Sequence, residues 1–138
     1  MVHLGDPRMN KDQELDEKVY FVNRELLKRY ADASGDQNPI HQDEAFAVSV
    51  GLPNVIAHGM LTMALVSKYV SDIAGGSAKV LEIGGRFTKP VIVPAGVDVD
   101  VTVSATVTDV ADGKATLSLS ATSAGVKVLG MAKAVISL

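Results

Sequence analysis

Apolar positions along this chain recur every three to four residues between about Asn23 and Ala74, and at about every second residue after that. A helical period thus gives way to a strand period. Before the helical part, "EKVYFVN" (17–23) alternates around Val19, Tyr20 and Val22 and predicts a short strand. Asn23 is a suitable N-cap for "RELLKRYADA", in which Leu26, Leu27, Tyr30 and Ala31 share one helical face until Gly35 ends the pattern. Pro39 steers Asn38 away from helical backbone, so "DQNPIH" predicts an ordered turn. Asp43 then caps a brief helix through Phe46 and Val50, closed by Gly51 and Pro53. From Ala57 to Ala74 the pattern predicts one long helix, about 27 Å at 1.5 Å per residue, apolar on most of its circumference. Such a helix must be enclosed, and its Met60 and Met63 read as core filling.

After "GGS" (75–77) four blocks read as strands separated by Gly-containing turns: "KVLEIGGRFTKPVIVPAG", "VDVDVTVSATVTDVADG", "KATLSLSATSAG" and "VKVLGMAKAVISL". "ADGK" and "SAGV" are hairpin turns. The blocks do not match one another at a fixed period, which excludes a repeat array and predicts an antiparallel meander. A strand, short helices, one apolar helix and a run of long strands make an α+β domain whose sheet wraps the helix, the hot-dog fold. A lone sheet of this size leaves edges and an open face, so two chains are expected to pair.

Composition narrows the picture without changing it. A length of 138 residues predicts a single domain over 1–138, with 1–16 a flexible N-terminal segment. With 47% hydrophobic and 21% charged residues the chain is ordinary for a globular protein. The absence of cysteine removes thiolate chemistry, disulfides and cysteine-rich zinc sites. A formal charge of −3 offers no broad field for nucleic acid or an anionic membrane. The N-terminal stretch carries scattered charges and no apolar core, unlike a secretory or transit signal, and the run "VIAHGMLTMALVSKYV" meets Lys68 before it could span a bilayer. A cytoplasmic location is the resulting expectation.

The chemistry concentrates in "SGDQNPIHQDEAF" (34–46), where Asp36 and His41 flank a proline-stiffened turn. An acid and a base held in that way can engage the same water molecule. Asp36 can equally be an Asx-turn residue and His41 a hydrogen-bonded structural histidine. Asn38 is placed to brace the turn through its side chain. Gly59 falls in the first turn of the long helix, where free N–H groups and the helix dipole favour negative charge and the missing side chain permits close approach. It can equally be a packing glycine. His58 packs against or orients the loop. Asp36, His41 and His58 match no standard metal-ligand spacing, so no metal is expected. Arg86 and Lys89 in "GGRFTKP" are either phosphate-attracting cations or surface charges.

"YADASGDQNPIHQDEAFA" followed by "AHGMLTMAL" resembles the MaoC-like (R)-specific enoyl-thioester hydratase and dehydratase family, also called hydratase 2. The matching elements are Tyr30, Gly35, Asp36, Asn38, Pro39, His41, His58 and Gly59, and the likeness extends over most of the chain beyond residue 17. Within that family it is similar to the catalytic B subunits of mycobacterial-type 3-hydroxyacyl-carrier-protein dehydratases, which pair with a non-identical subunit. The resemblance implies the hot-dog fold and a lyase that interconverts trans-2-enoyl and (R)-3-hydroxyacyl thioesters. It implies that Asp36 and His41 hold the catalytic water, that Gly59 serves the thioester oxygen, and that Asn38 supports the loop. It calls for no cofactor. The implied substrate is an acyl-CoA or acyl carrier protein thioester, and the implied partner is a second copy or a paralogous hot-dog subunit. Two rivals stand beside this reading. A hot-dog thioesterase wants a carboxylate on the long helix, which offers only Asp72 near its end. A non-catalytic acyl-binding partner subunit has no need of both Asp36 and His41.

Overall fold

Residues 9–138 are described by the computed structural model. In chain order the elements are β1 (Glu14–Val22), α1 (Arg24–Ser34), a 3-10 turn (Pro39–His41), α2 (Glu44–Ser49), α3 (Gly59–Ala74), a second 3-10 turn (Ser77–Lys79) and β2 (Val80–Phe87). The long strands β3 (Val99–Ala111) and β4 (Lys114–Ser123), the short β5 (Val126–Lys127) and β6 (Leu129–Ser137) follow. Of the segment 1–16 expected to be flexible, 1–8 lie outside the described residues. The remainder is ordered: Met9 is buried, and Asp12 N–H donates to the Val107 carbonyl at 2.7 Å, so the chain joins the sheet before β1 begins.

The strands form one antiparallel sheet in the order β1-β3-β4-β6-β2, with β5 paired to β4. Only β3, β4 and β6 run as the expected meander. β2 crosses to the far edge beside β6, because the connection 88–98 is committed elsewhere: Ala57 N–H bonds the Val91 carbonyl and Val93 N–H the Val55 carbonyl, at 2.9 and 2.8 Å. The same pairing corrects the start of the long helix. Residues 55–57 are held extended against 91–93, so α3 begins at Gly59 and not at Ala57.

Alternation then decides what the sheet buries. Val101, Val103, Ala105 and Val107 of β3, with Ala115, Leu117, Leu119 and Ala121 of β4, face inward. On β6 the inward set shifts phase between Leu129 and Ala132. Met131, at φ 49°, supplies the extra residue that resets the pleat and is itself 81% exposed. Against this concave face α3 buries Leu61, Thr62, Val66, Tyr69, Val70 and Ala74. Met60 departs from the expectation of core filling: it is 60% exposed, at the first turn of α3, while Met63 is half-buried. Both hairpin turns bear positive φ at their two central residues, Asp112-Gly113 and Ala124-Gly125, as the tight primed turns require.

Three local devices place the site loop. Asn23 caps α1 by accepting from Leu26 N–H at 2.8 Å, a contact worth about 1 kcal/mol. Gly35 ends that helix in left-handed backbone at φ 82°, where a side chain would be strained. Arg24 reaches across with Nε to the Val93 carbonyl at 2.6 Å and with its guanidinium to Asn54 at 2.8 Å and Glu44 at 3.0 Å. The start of α1, the start of α2 and the segment leading into α3 are thereby tied together. Among the described residues, no helix is long and apolar enough to cross a membrane.

Candidate active site

The loop after Gly35 is built from side chains that satisfy its own backbone. Asp36 N–H donates to Ser34 Oγ at 3.2 Å, Asp36 Oδ1 accepts from Asn38 N–H at 3.2 Å, and Asn38 Oδ1 accepts from Ile40 N–H at 3.2 Å. Two consecutive Asx turns therefore lead into a 3-10 turn with Pro39 at its start. His41 N–H closes that turn on the Asn38 carbonyl at 3.1 Å. Asn38 is thus the N-cap of that 3-10 turn.

His41 is buried, and its Nδ1 lies 2.7 Å from the Ile56 carbonyl oxygen. A carbonyl can only accept, so Nδ1 carries the hydrogen and neutral His41 keeps its lone pair on Nε2. His58 is buried further, at 2% exposure, with Nε2–H donating to the Asp36 carbonyl at 3.1 Å. The two imidazoles stack with centroids 3.9 Å apart and planes 23° from parallel, and Tyr30 packs tilted on His58 at 4.8 Å. Burial pushes the pKa of His58 down. The Asp36 carbonyl opposes that shift, a charged His41 adds to it, and the Asp36 carboxylate opposes it.

The carboxylate of Asp36 and a ring nitrogen each of His41 and His58 all lie within 4.8 Å of one another. That spacing is of the order that a single bridging water spans. As a metal set the trio is poorly arranged. His41 Nδ1 and His58 Nε2 are committed to carbonyls, which leaves each ring one nitrogen to offer.

His41 opens on a cleft of 330 Å³ that also exposes Gly59, Thr62, Thr88, Lys89 and Val128. Asp36 and His58 border a second hollow with Tyr30, Ser34 and Met60. Gly59 and Phe87 belong to both. The Phe87 ring lies close to Gly59, for a Cβ added there would be 3.2 Å from it. As the first residue of α3, Gly59 has an N–H without an intrahelical acceptor. Lys89 is exposed at the cleft, whereas Arg86 lies on exposed β2 with its guanidinium 3.8 Å from the Met131 sulfur.

Residues 7–125 match the family model described as "MaoC like domain". This chain belongs to the MaoC-like family. It is 42% identical over 77 residues to 3-hydroxyacyl-thioester dehydratase X of Mycobacterium tuberculosis, an alignment that covers 56% of this chain and 26% of that protein. A solved MaoC-like dehydratase superposes with a TM-score of 0.92 at 32% identity, over 95% of this chain and 41% of the other. The (R)-hydratase from A. caviae involved in PHA biosynthesis superposes with a TM-score of 0.81 at 26% identity, over 95% of this chain and 98% of the other. The chain thus spans about a quarter of the first relative's length and the whole of a single MaoC-like hydratase. The hot-dog α+β fold expected from the strand and helix order is the fold of these MaoC-like neighbours.

Three features of the site carried no sequence signal. The Ile56 contribution is made by its backbone, which side-chain identity does not reveal. Thr62 lies three residues after Gly59 on the same helix, and Phe87 lies in a strand-like block, but neither residue type marks a site. Only the folded chain brings Phe87 to Gly59.

Proposed function

We propose that this chain interconverts trans-2-enoyl thioesters and (R)-3-hydroxyacyl thioesters by adding or removing water. One observation carries the reading: the Asp36 carboxylate and a His41 nitrogen are 4.8 Å or less apart, beside the free N–H of the α3 N-terminus. His41 Nε2 takes a proton from the water as its oxygen bonds to carbon 3. The electron pair of the double bond moves toward the thioester oxygen, where the Gly59 N–H and the helix dipole meet the growing charge. A proton returns to carbon 2, so water's two hydrogens and oxygen are all accounted for. Asp36 holds the water in line through the second hydrogen bond. In reverse, the same pair expels water from the 3-hydroxy compound. The thioester itself activates the double bond, so the reaction needs no cofactor.

The substrate class is an acyl-CoA or acyl carrier protein thioester, consistent with the names of the relatives, and Lys89 at the cleft is placed to meet its phosphate-bearing arm. A dimer, of two copies or with a paralogous hot-dog subunit, suits the outer edge of β2 and the exposed Leu81, Phe87 and Met131 near it. A cytoplasmic setting fits acyl-thioester metabolism and a chain without cysteine. The thioesterase alternative loses ground on geometry. Asp72, the helix carboxylate it requires, sits near the C-terminal end of α3 paired with Lys68 at 3.4 Å, while the candidate site is at the N-terminal end. Incubation with crotonyl-CoA should bleach the conjugated enoyl absorbance without releasing free thiol. Thiol release with the double bond intact would favour the thioesterase instead.

A further inference from the structure

We infer that His58 is a positioning residue that joins the two halves of the water site, holding Asp36 through its backbone carbonyl and His41 through ring stacking. The inference rests on the hydratase reading and assigns to it a residue that the reaction does not itself consume. His58 contacts both partners: its Nε2–H reaches the Asp36 carbonyl at 3.1 Å, and its ring centroid lies 3.9 Å from that of His41. Asp36 is otherwise exposed, in a loop held chiefly by its own short-range turns. His41, by contrast, is fastened to Ile56 by its own Nδ1–H. The remaining links from Asp36 to that segment run indirectly, through Asn38 and the Ile40 carbonyl, whereas the bond from His58 reaches the Asp36 carbonyl in one step.

The same geometry explains why the residue is a histidine held in one tautomer. Donation from Nε2 leaves Nδ1 as a bare lone pair, and that atom is buried without a partner. Protonating it would place a second N–H where no acceptor waits among the described residues. A neutral ring is therefore stacked on the base that must become an imidazolium when it takes the water's proton. Tyr30 also packs on His58, tilted, with centroids 4.8 Å apart. The groups facing His58 are thus Tyr30 from α1 and Asp36 and His41 from the loop, and of these only His41 changes charge during the proposed reaction.

Two substitutions separate these roles. In His58→Phe the ring remains but cannot donate to Asp36, whereas His58→Gln can set an amide N–H near the position of Nε2. With crotonyl-CoA, Phe should lower kcat about ten- to a hundredfold at little changed KM, and Gln should recover much of that loss. Amide NMR shifts of residues 36–41 should move in His58→Phe and stay close to wild type in His58→Gln. Imidazole ¹⁵N spectra of the wild type should show His58 neutral and protonated on Nε2 only. Equal losses in the two variants, wild-type kcat in His58→Phe, or a proton on Nδ1 of His58 would overturn the inference. The wild-type ¹⁵N spectra and the His58→Gln measurements do not depend on His58→Phe, so a proton on Nδ1 still overturns the inference where that variant does not fold. A wild-type protein inactive on enoyl thioesters would fell the hydratase reading separately.

Discussion

His41 and Ile56 are joined twice: His41 Nδ1–H donates to the Ile56 carbonyl at 2.7 Å, and Ile56 N–H donates to the carbonyl of Ile40, the residue before His41, at 3.2 Å. One residue's backbone thus fixes both the ring's tautomer and the strap that carries it. Asparagine at position 41 can place its amide N–H near Nδ1 but has nothing at Nε2. His41→Asn should therefore keep the Ile56 bond and the fold while losing about 10²- to 10⁴-fold in kcat for crotonyl-CoA hydration. A melting temperature near wild type together with that loss would assign the ring a chemical role. Retained activity would leave only a structural one.

Asp36 offers the complementary test. Its Oδ1 accepts from Asn38 N–H at 3.2 Å, a bond that an asparagine oxygen can also accept. Asp36→Asn should accordingly preserve the turn but remove the charge, with kcat falling about a hundredfold or more. A melting temperature near wild type together with that loss would assign the charge to the reaction, and retained activity would leave Asp36 only its place in the turn.

The parts of this molecule that were legible in sequence are those whose information is local. Asn23, Gly35 and Asp43 announce helix ends through side-chain chemistry acting within three residues, and each is found in its expected cap. Asp36, Asn38, Pro39 and His41 form one continuous turn, so their spacing already encodes their geometry. What was illegible is non-local. The crossover of β2 to β6 depends on residues 55–57 pairing with 91–93, and no short-range pattern specifies that match. The extended pairing likewise overrode an apolar run that reads as helix from Ala57. Met60 misled for a related reason, since an apolar residue on a hydrophobic helix need not face its own chain's core.

Gly59 was expected either to receive a substrate or only to pack, and the structure sharpens the choice. A methyl group there meets the Phe87 ring at 3.2 Å, and that ring is half-exposed and able to yield by a few tenths of an ångström. Gly59→Ala should therefore cost little stability, about 1 kcal/mol or less, because alanine also favours the helix. Its kcat/KM should fall about tenfold or more if a thioester oxygen must approach the backbone there. Adding Phe87→Ala relieves the packing conflict without clearing the approach to the N–H. A double variant still slow while fully stable would assign Gly59 to the substrate, and full recovery would assign it to packing.

The outer edge of β2 is unpaired in the single chain, and Leu81 on it is 51% exposed. A charge on such an edge is a common means of preventing strand-to-strand association. Light scattering during size exclusion should give the wild type a mass twice that of one chain at micromolar concentration, or a monomer that doubles only when a paralogous subunit is added. Leu81→Glu should shift either assembly toward monomer without lowering helix and strand content by circular dichroism. A wild type that stays monomeric in both conditions would count against pairing through this edge.

Acid stability should follow two groups with separate windows. His58, whose pKa burial pushes below its ordinary 6.5, takes up a proton in the unfolded chain before the folded one does. Its neutral form thus favours folding fully above 6.5, and that contribution is lost as pH falls below 6.5 toward the folded value. Asp100 is lowered from 3.8, first by the Ala124 N–H at 3.0 Å and also by the Thr102 hydroxyl, against partial burial that raises it. Its carboxylate favours folding above 3.8 and ceases to do so as pH falls through its depressed folded value. Urea denaturation in small pH steps should show both declines in the wild type. His58→Gln should flatten the upper window alone, and Asp100→Asn, which still accepts from Ala124 but has no proton to bind, the lower one alone. A wild-type upper slope surviving in His58→Gln would mean that another group bears the proton in that range.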